Sequence, residues 1–153
     1  MKKSGLLLLI IFAAGTISGH DEKNSPGTET GTLLILVTGL KNTQGQLMVA
    51  LYNKASDFPD KEPYKGSITS ISTNKELIKF ENIPLGDYAV AVLHDINKDG
   101  KLDKNFLGIP TEGYGFSNDA IEKFGPPSYM QARFLYFGKD DAKTVDLEYG
   151  IPK

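Results

Sequence analysis

The sequence predicts an all-β protein: a single antiparallel sandwich of about seven short strands with one long Gly/Pro-rich loop. Three observations predict it. Apolar residues recur with period two far more often than with helical spacing, turn residues interrupt them at short intervals, and two segments are apolar on both faces, as strands inside a sheet must be.

The chain opens with "MKKSGLLLLIIFAAGTISGH", two lysines followed by an unbroken apolar run from Leu6 to Ala14 and then small and polar residues. This is the pattern of a secretory signal peptide, assigned to residues 1–19. The run is shorter than the roughly 20 apolar residues that a membrane-spanning helix needs. Small residues allow cleavage after Gly15, Ser18 or Gly19, and a chain without cysteine cannot be lipid-anchored through a cysteine at that point. "HDEKNSPGTETG" offers nothing apolar to pack, so residues 20–31 read as a flexible linker. Residues 32–153, about 120 of them, suffice for one domain with one core.

Within that domain "TLLILVTGL" is apolar on both faces, and "KNTQGQ" supplies a turn into "LMVALYN", so the pair reads as a hairpin from Thr32 to Asn53. "SDFPDKEPYKG" is a loop. Ser67 to Ser72 and Glu76 to Glu81 are shorter strands, the first with Ile68 and Ile71 out of phase. After the Pro84/Gly86 turn, Tyr88, Val90 and Val92 alternate with Ala89, Ala91 and Leu93. This is the expected central strand, whose alanines let an opposing layer come close. The stretch from Asn105 to Ser128 is loop, with one possible helical turn at Asn118 to Phe124 capped by Asn118. "ARFLYF" and "TVDLEY" close the fold as a hairpin, Val145, Leu147 and Tyr149 facing one way. A sandwich of immunoglobulin-like or transthyretin-like type fits this series, with a small barrel as the alternative.

Composition narrows the chemistry. The chain carries 17 basic and 19 acidic residues, and removal of Lys2 and Lys3 with the signal leaves a net charge of minus four, which gives no electrostatic case for nucleic acid. With no cysteine in an exported chain, stability has to come from the core, from turns or from a bound ion.

The candidate ion site is "HDINKDGKLDKN". Counting Asp95 as position one of a calcium loop places Asn97 at three, Asp99 at five, Gly100 at six, the Lys101 carbonyl at seven and Asp103 at nine. Calcium is hard and takes six to eight oxygens, and a chain that curls at a glycine brings alternate side chains onto it. Position twelve is Phe106 where an EF-hand has glutamate, and no amphipathic helix follows, so the loop is not an EF-hand. Glu112, Asp87 or His94 could complete the shell. A polar hairpin turn on Asp99-Gly100 is the simpler alternative, and it leaves the spacing of Asp95, Asn97 and Asp103 unexplained.

His94 beside Asp95 invites a catalytic reading, yet it continues the apolar face of Tyr88, Val90 and Val92 and is more simply a strand-end residue bonded to a neighbour. Serine chemistry would have to recruit Ser117 or Ser128 without a nucleophile elbow. Arg133, the only arginine, is expected to pair with an acid such as Glu112. Tyr114, Phe116, Phe124 and Tyr129 either present rings to a peptide or glycan or fold back to close one end of the sandwich; a loop this long has to bury something to be ordered.

"FENIPLGDYAVAV", "LHDINKDGKLDKNFLGIPTEGYGFSNDA" and "FGPPSYMQARF" together resemble the bacterial family known as domain of unknown function 2141, from about Leu33 to Tyr149. The resemblance implies an exported bacterial β-sandwich and carries no established reaction, so no residue inherits a catalytic role. "IPLGDYAVAVLHD" is also similar to transthyretin-like carrier and adhesin-stalk sandwiches, at the level of fold alone. The expectation is a non-enzymatic module in the periplasm or outside the cell, with calcium on Asp95, Asn97, Asp99, Lys101 and Asp103 and an aromatic loop that binds a peptide, glycan or partner domain. The competing expectation is a small hydrolase or isomerase using His94 and Arg133.

Overall fold

In the computed structural model, which describes residues 29–123, 125–138 and 142–152, the strands form two stacked sheets. They are β1 (Thr30–Thr38), β2 (Gln46–Tyr52), β3 (Lys65–Thr69), β4 (Glu76–Pro84), β5 (Gly86–Asp95), β6 (Gly113–Phe116), β7 (Phe134–Tyr136), β8 (Ala142–Asp146) and β9 (Glu148–Tyr149), with a one-turn helix α1 (Tyr129–Ala132) before β7. The small sheet has the order β4-β1-β8 and the large one β3-β2-β5-β6-β9, with β7 paired to the start of β5. All pairings are antiparallel except that of β1 with β8. The predicted signal and most of the predicted linker lie outside the described residues. Thr30 and Gly31, read as linker, already pair with Pro84 and Ile83.

The core lies between the sheets. Alternate residues supply it: Leu33, Ile35 and Val37 from β1, Leu47, Val49 and Leu51 from β2, and Tyr88, Val90 and Val92 from β5. The other face of the large sheet is buried as well, which is why β2 and β5 are apolar on both sides. There Met48, Ala50, Ala89, Ala91 and Leu93 meet Tyr114, Phe116 and Ala132, with Phe58 and Tyr129 packed against them. The alanines do admit a close layer. That layer is built from the chain's own loops, Phe58 standing edge-on to Tyr52, Phe116 and Tyr129 with centroids 5.4 to 5.9 Å apart.

Several predicted connections differ. β1 and β2 are not a hairpin: the turn carries the chain from the small sheet to the large one. The same holds at the C-terminal end, where β7 joins β5 while β8 runs parallel to β1. "TVDLEY" is two strands in two sheets, broken at Leu147, although Val145 and Leu147 are buried and Tyr149 packs against the core as their period predicted. Hairpins and sheet crossings need the same turn residues, so local sequence does not separate them. β6 arises inside the predicted loop. The turn at Ser117–Asp119 is a single 3-10 turn, and the α-helical turn comes later, where Ser128 and Gln131 form a capping box. Ser-x-x-Gln at 128–131 was the available signal.

Ser117 shows how the outer layer is attached. Its buried hydroxyl accepts from Val90 N–H at 2.9 Å and donates to the Ala132 carbonyl at 2.6 Å, joining the central strand to α1. Serine chemistry is therefore not its role. Ser117→Ala leaves both backbone groups without this partner in the interior, and is expected to cost about 2–3 kcal/mol in denaturant titration with little change in m.

Candidate functional site

β5 ends by delivering His94 and Asp95, both buried, to the start of the polar loop. Asp95 organises the turn. Its Oδ1 accepts from Asp99 N–H at 3.1 Å, and its Oδ2 accepts from Gly100 N–H at 2.9 Å and from the Gln46 side-chain amide at 2.8 Å. Asn97 Oδ1 also accepts from Asp99 N–H, and Asp99 Oδ1 accepts from Lys101 N–H at 2.9 Å. The Asn97 amide donates to Asp103 Oδ2 at 2.8 Å. Alternate polar side chains thus curl the chain on themselves, with Gly100 at φ 78 taking the sharp bend.

Glu112 reaches the same loop from the far side. Although 16 residues from Ile96, it is only 3% exposed, and its Oε1 accepts from Ile96 N–H at 2.7 Å while Oε2 accepts from Asp103 N–H at 3.0 Å. Asp95 and Glu112 therefore clasp the excursion between β5 and β6 at both ends. The donors in this clasp are backbone N–H groups and one amide, so two carboxylates lie in the interior on neutral hydrogen bonds. Among the described residues, however, no three His, Cys, Asp or Glu side chains are grouped so that they could hold a metal ion between them. The side chains of Asp95, Asn97, Asp99 and Asp103 are each engaged with the backbone or with one another.

His94 sits fully inside the protein. Nε2 lies 2.8 Å from the Gln44 carbonyl, an acceptor, so in the neutral ring the proton is on Nε2. Nδ1 then accepts from the Tyr149 hydroxyl at 2.7 Å, whose oxygen accepts from Lys41 N–H at 3.2 Å. Burial pushes the Tyr149 hydroxyl above its ordinary pKa, and the Lys41 N–H partly opposes that. This chain of bonds ties β5 to β9 and to the β1–β2 turn. It leaves His94 no nitrogen for substrate.

Arg133 pairs with Asp87 at 3.1 Å, not with Glu112. Asp87 stands at the other end of β5 from His94, about 23 Å away at roughly 3.3 Å per residue. His94 and Arg133 thus do not assemble a catalytic site, and Asp87 is remote from the polar loop. A cavity of about 180 Å³, lined by Gly115, Phe116, Asp119, Ala120, Ile121, Asp146 and Glu148, contains neither of them. It is smaller than the roughly 300–1,000 Å³ of most small-molecule sites.

Of the predicted aromatic surface, Tyr114 and Phe116 are buried in the outer core, and burial pushes the Tyr114 hydroxyl up in pKa. Tyr129 is partly buried, its hydroxyl donating to the Asp87 carbonyl at 3.1 Å. These rings close the outer face, as the folding-back alternative required; Phe124 lies outside the described residues. No curated protein and no solved structure matches the chain. Residues 35–145, spanning both sheets and the clasped loop, match the family described as an uncharacterized protein conserved in bacteria, DUF2141, and the chain belongs to that family.

Proposed function

We propose that the chain is an exported, non-enzymatic β-sandwich module whose Asp95–Asp103 loop responds to calcium and orders the excursion leading to Glu112. The observation that carries this reading is the clasp: Asp95 and Glu112, two buried carboxylates, hold one loop through neutral donors. Asp99 and Asp103 add further negative charge to the same short stretch. A divalent cation relieves the cost of gathering such charges, and a set made only of carboxylate, amide and carbonyl oxygens suits a hard ion. Asp95, Asn97, Asp99, the Lys101 carbonyl and Asp103 would hold it. The leader pattern supports export, and the engagement of both His94 nitrogens, with Arg133 at the far end of β5, supports a role without catalysis.

The test is thermal unfolding in calcium and in chelator. At about 1 mM calcium, a dissociation constant of about 10 μM stabilises by about 2.7 kcal/mol and raises Tm by roughly 10 °C; a constant of about 1 mM adds only about 0.4 kcal/mol. The expected result is the larger shift, abolished by Asp99→Ala. An unchanged Tm in both buffers removes the ion from the account.

A further inference from the structure

At the start of β5, at the end of the strand away from the polar loop, three apolar side chains stand together in solvent: Leu85 is 39% exposed, Leu135 47% and Phe137 66%. The register assembles them. β7 sets Leu135 opposite Asp87 and Tyr136 opposite Gly86, and one further step along both chains brings Phe137 to Leu85. Burial alternates along this stretch, Phe134 and Tyr136 inward and Leu135 and Phe137 outward, so the exposed side chains share one face. The two segments lie close enough that a β-carbon on Gly138 would stand 2.5 Å from Leu85 Cδ2. The Arg133–Asp87 ion pair borders the group, and none of the three leucine and phenylalanine side chains belongs to either core.

The chain enters the domain at this spot. The Glu29 carbonyl accepts from Leu85 N–H at 3.2 Å, and Thr30 opens β1 opposite Pro84. Upstream lie the fourteen residues 15–28, and before them the unbroken apolar run from Leu6 to Ala14. We propose that in the full chain this run docks on Leu85, Leu135 and Phe137, so that the leader covers an apolar end which the domain presents only once the leader is removed or taken up by a membrane. Chain length decides for this occupant. A connection of that length spans about 20 Å on average and at most about 50 Å, which holds the run beside the patch at an effective concentration of about 1 mM. A second copy at micromolar concentration meets the patch about a thousandfold less often. Three side chains also fall far short of the roughly 800 Å² per partner of a stable protein interface. The docking depends neither on calcium nor on the loop at the other end of β5.

The chain has neither tryptophan nor cysteine, so each can be introduced as a single reporter. In full-length Phe137→Trp the indole emission is expected to be blue-shifted and shielded from acrylamide at every protein concentration, and to become that of an exposed indole in Leu8→Asp/Ile11→Asp. Leu135→Trp gives a second reporter should Phe137→Trp lower Tm. In the full chain with Ile10→Cys and Leu135→Cys, oxidation should close an internal disulfide about 100-fold faster than it links two copies at micromolar protein, and faster than in Ile10→Cys with Phe106→Cys. Phosphatidylcholine vesicles should draw the leader into lipid and leave the indole exposed. An exposed indole before vesicles are added overturns the proposal, as does shielding that survives Leu8→Asp/Ile11→Asp, or equal internal disulfide rates at Leu135 and Phe106. Shielding that grows with protein concentration assigns the patch to a second copy, and quenching of the indole by brominated acyl chains assigns it to lipid; either equally overturns it. None of these readouts involves calcium, so the docking and the calcium loop stand or fall separately.

Discussion

Asp95→Ala is expected to lower the unfolding free energy by about 2–4 kcal/mol, enough to move Tm by roughly 10 °C in a domain of this size. The carboxylate is fully buried and accepts three hydrogen bonds, from Asp99 N–H, Gly100 N–H and the Gln46 amide. Alanine removes all three acceptor contacts at once. Hydrogen bonds to a charged group contribute about 1.5–3 kcal/mol each, but Asp99 is exposed and Gly100 partly so, so water recovers some of that loss. Asp99→Ala separates structure from metal binding: its side chain is exposed and accepts one bond, from Lys101 N–H, so without calcium it should cost less than about 1 kcal/mol. In calcium it should cost as much as the ion contributes. Equal losses in calcium and chelator would make the loop a structural turn only. Paired denaturant titrations of the two variants decide this.

Gly45→Ala is expected to be at least as damaging, at about 3–5 kcal/mol, although the residue lies in a turn and carries no functional group. Gly45 has φ 75, where a β-carbon costs about 1–2 kcal/mol. That carbon would also overlap the Asp95 carbonyl oxygen and stand 2.5 Å from Ile96 Cα and 2.7 Å from the Ile96 carbonyl oxygen. These are backbone atoms. Relief requires the β1–β2 turn and the polar loop to part, which strains the Gln46 to Asp95 contact and the Gln44 to His94 contact together. Loss of stability in Gly45→Ala should therefore come with loss of the calcium response, measured as the Tm difference between calcium and chelator. A variant that keeps full stability would show that the two segments are not packed as described.

The candidate site was partly legible because its information is local. The Asp95, Asn97, Asp99 and Gly100 spacing is a property of one curling segment, and the loop does form around Asp95 as that spacing implies. Glu112 appeared only as one of several acids that could join, since nothing in its neighbourhood says that β6 begins at Gly113 and carries it back to Ile96. Arg133 was paired with the wrong acid for a related reason. Its partner depends on β7 meeting β5 at Asp87 and Leu135, a contact between residues far apart in the chain. Tyr114 and Phe116 look the same in sequence whether they are offered to a ligand or packed inward; the uncovered face of Ala89 and Ala91 decides it.

β1, read as apolar on both faces, buries only alternate residues, and it is β2 that is buried on both. The sequence by itself determined the class of fold, the both-sided burial of β5, the inward faces of β5 and β8 and the presence of a polar loop after His94. Each follows from period-two burial or from the conformational needs of a turn, which neighbouring residues settle among themselves. Only the tertiary structure decided which turns are hairpins and which cross between sheets, that β8 lies parallel to β1, that Glu112 completes the clasp, and that Phe106 and Leu107 find nothing to bury against. Those outcomes depend on which apolar faces meet across long loops, and that choice is made by the whole core at once.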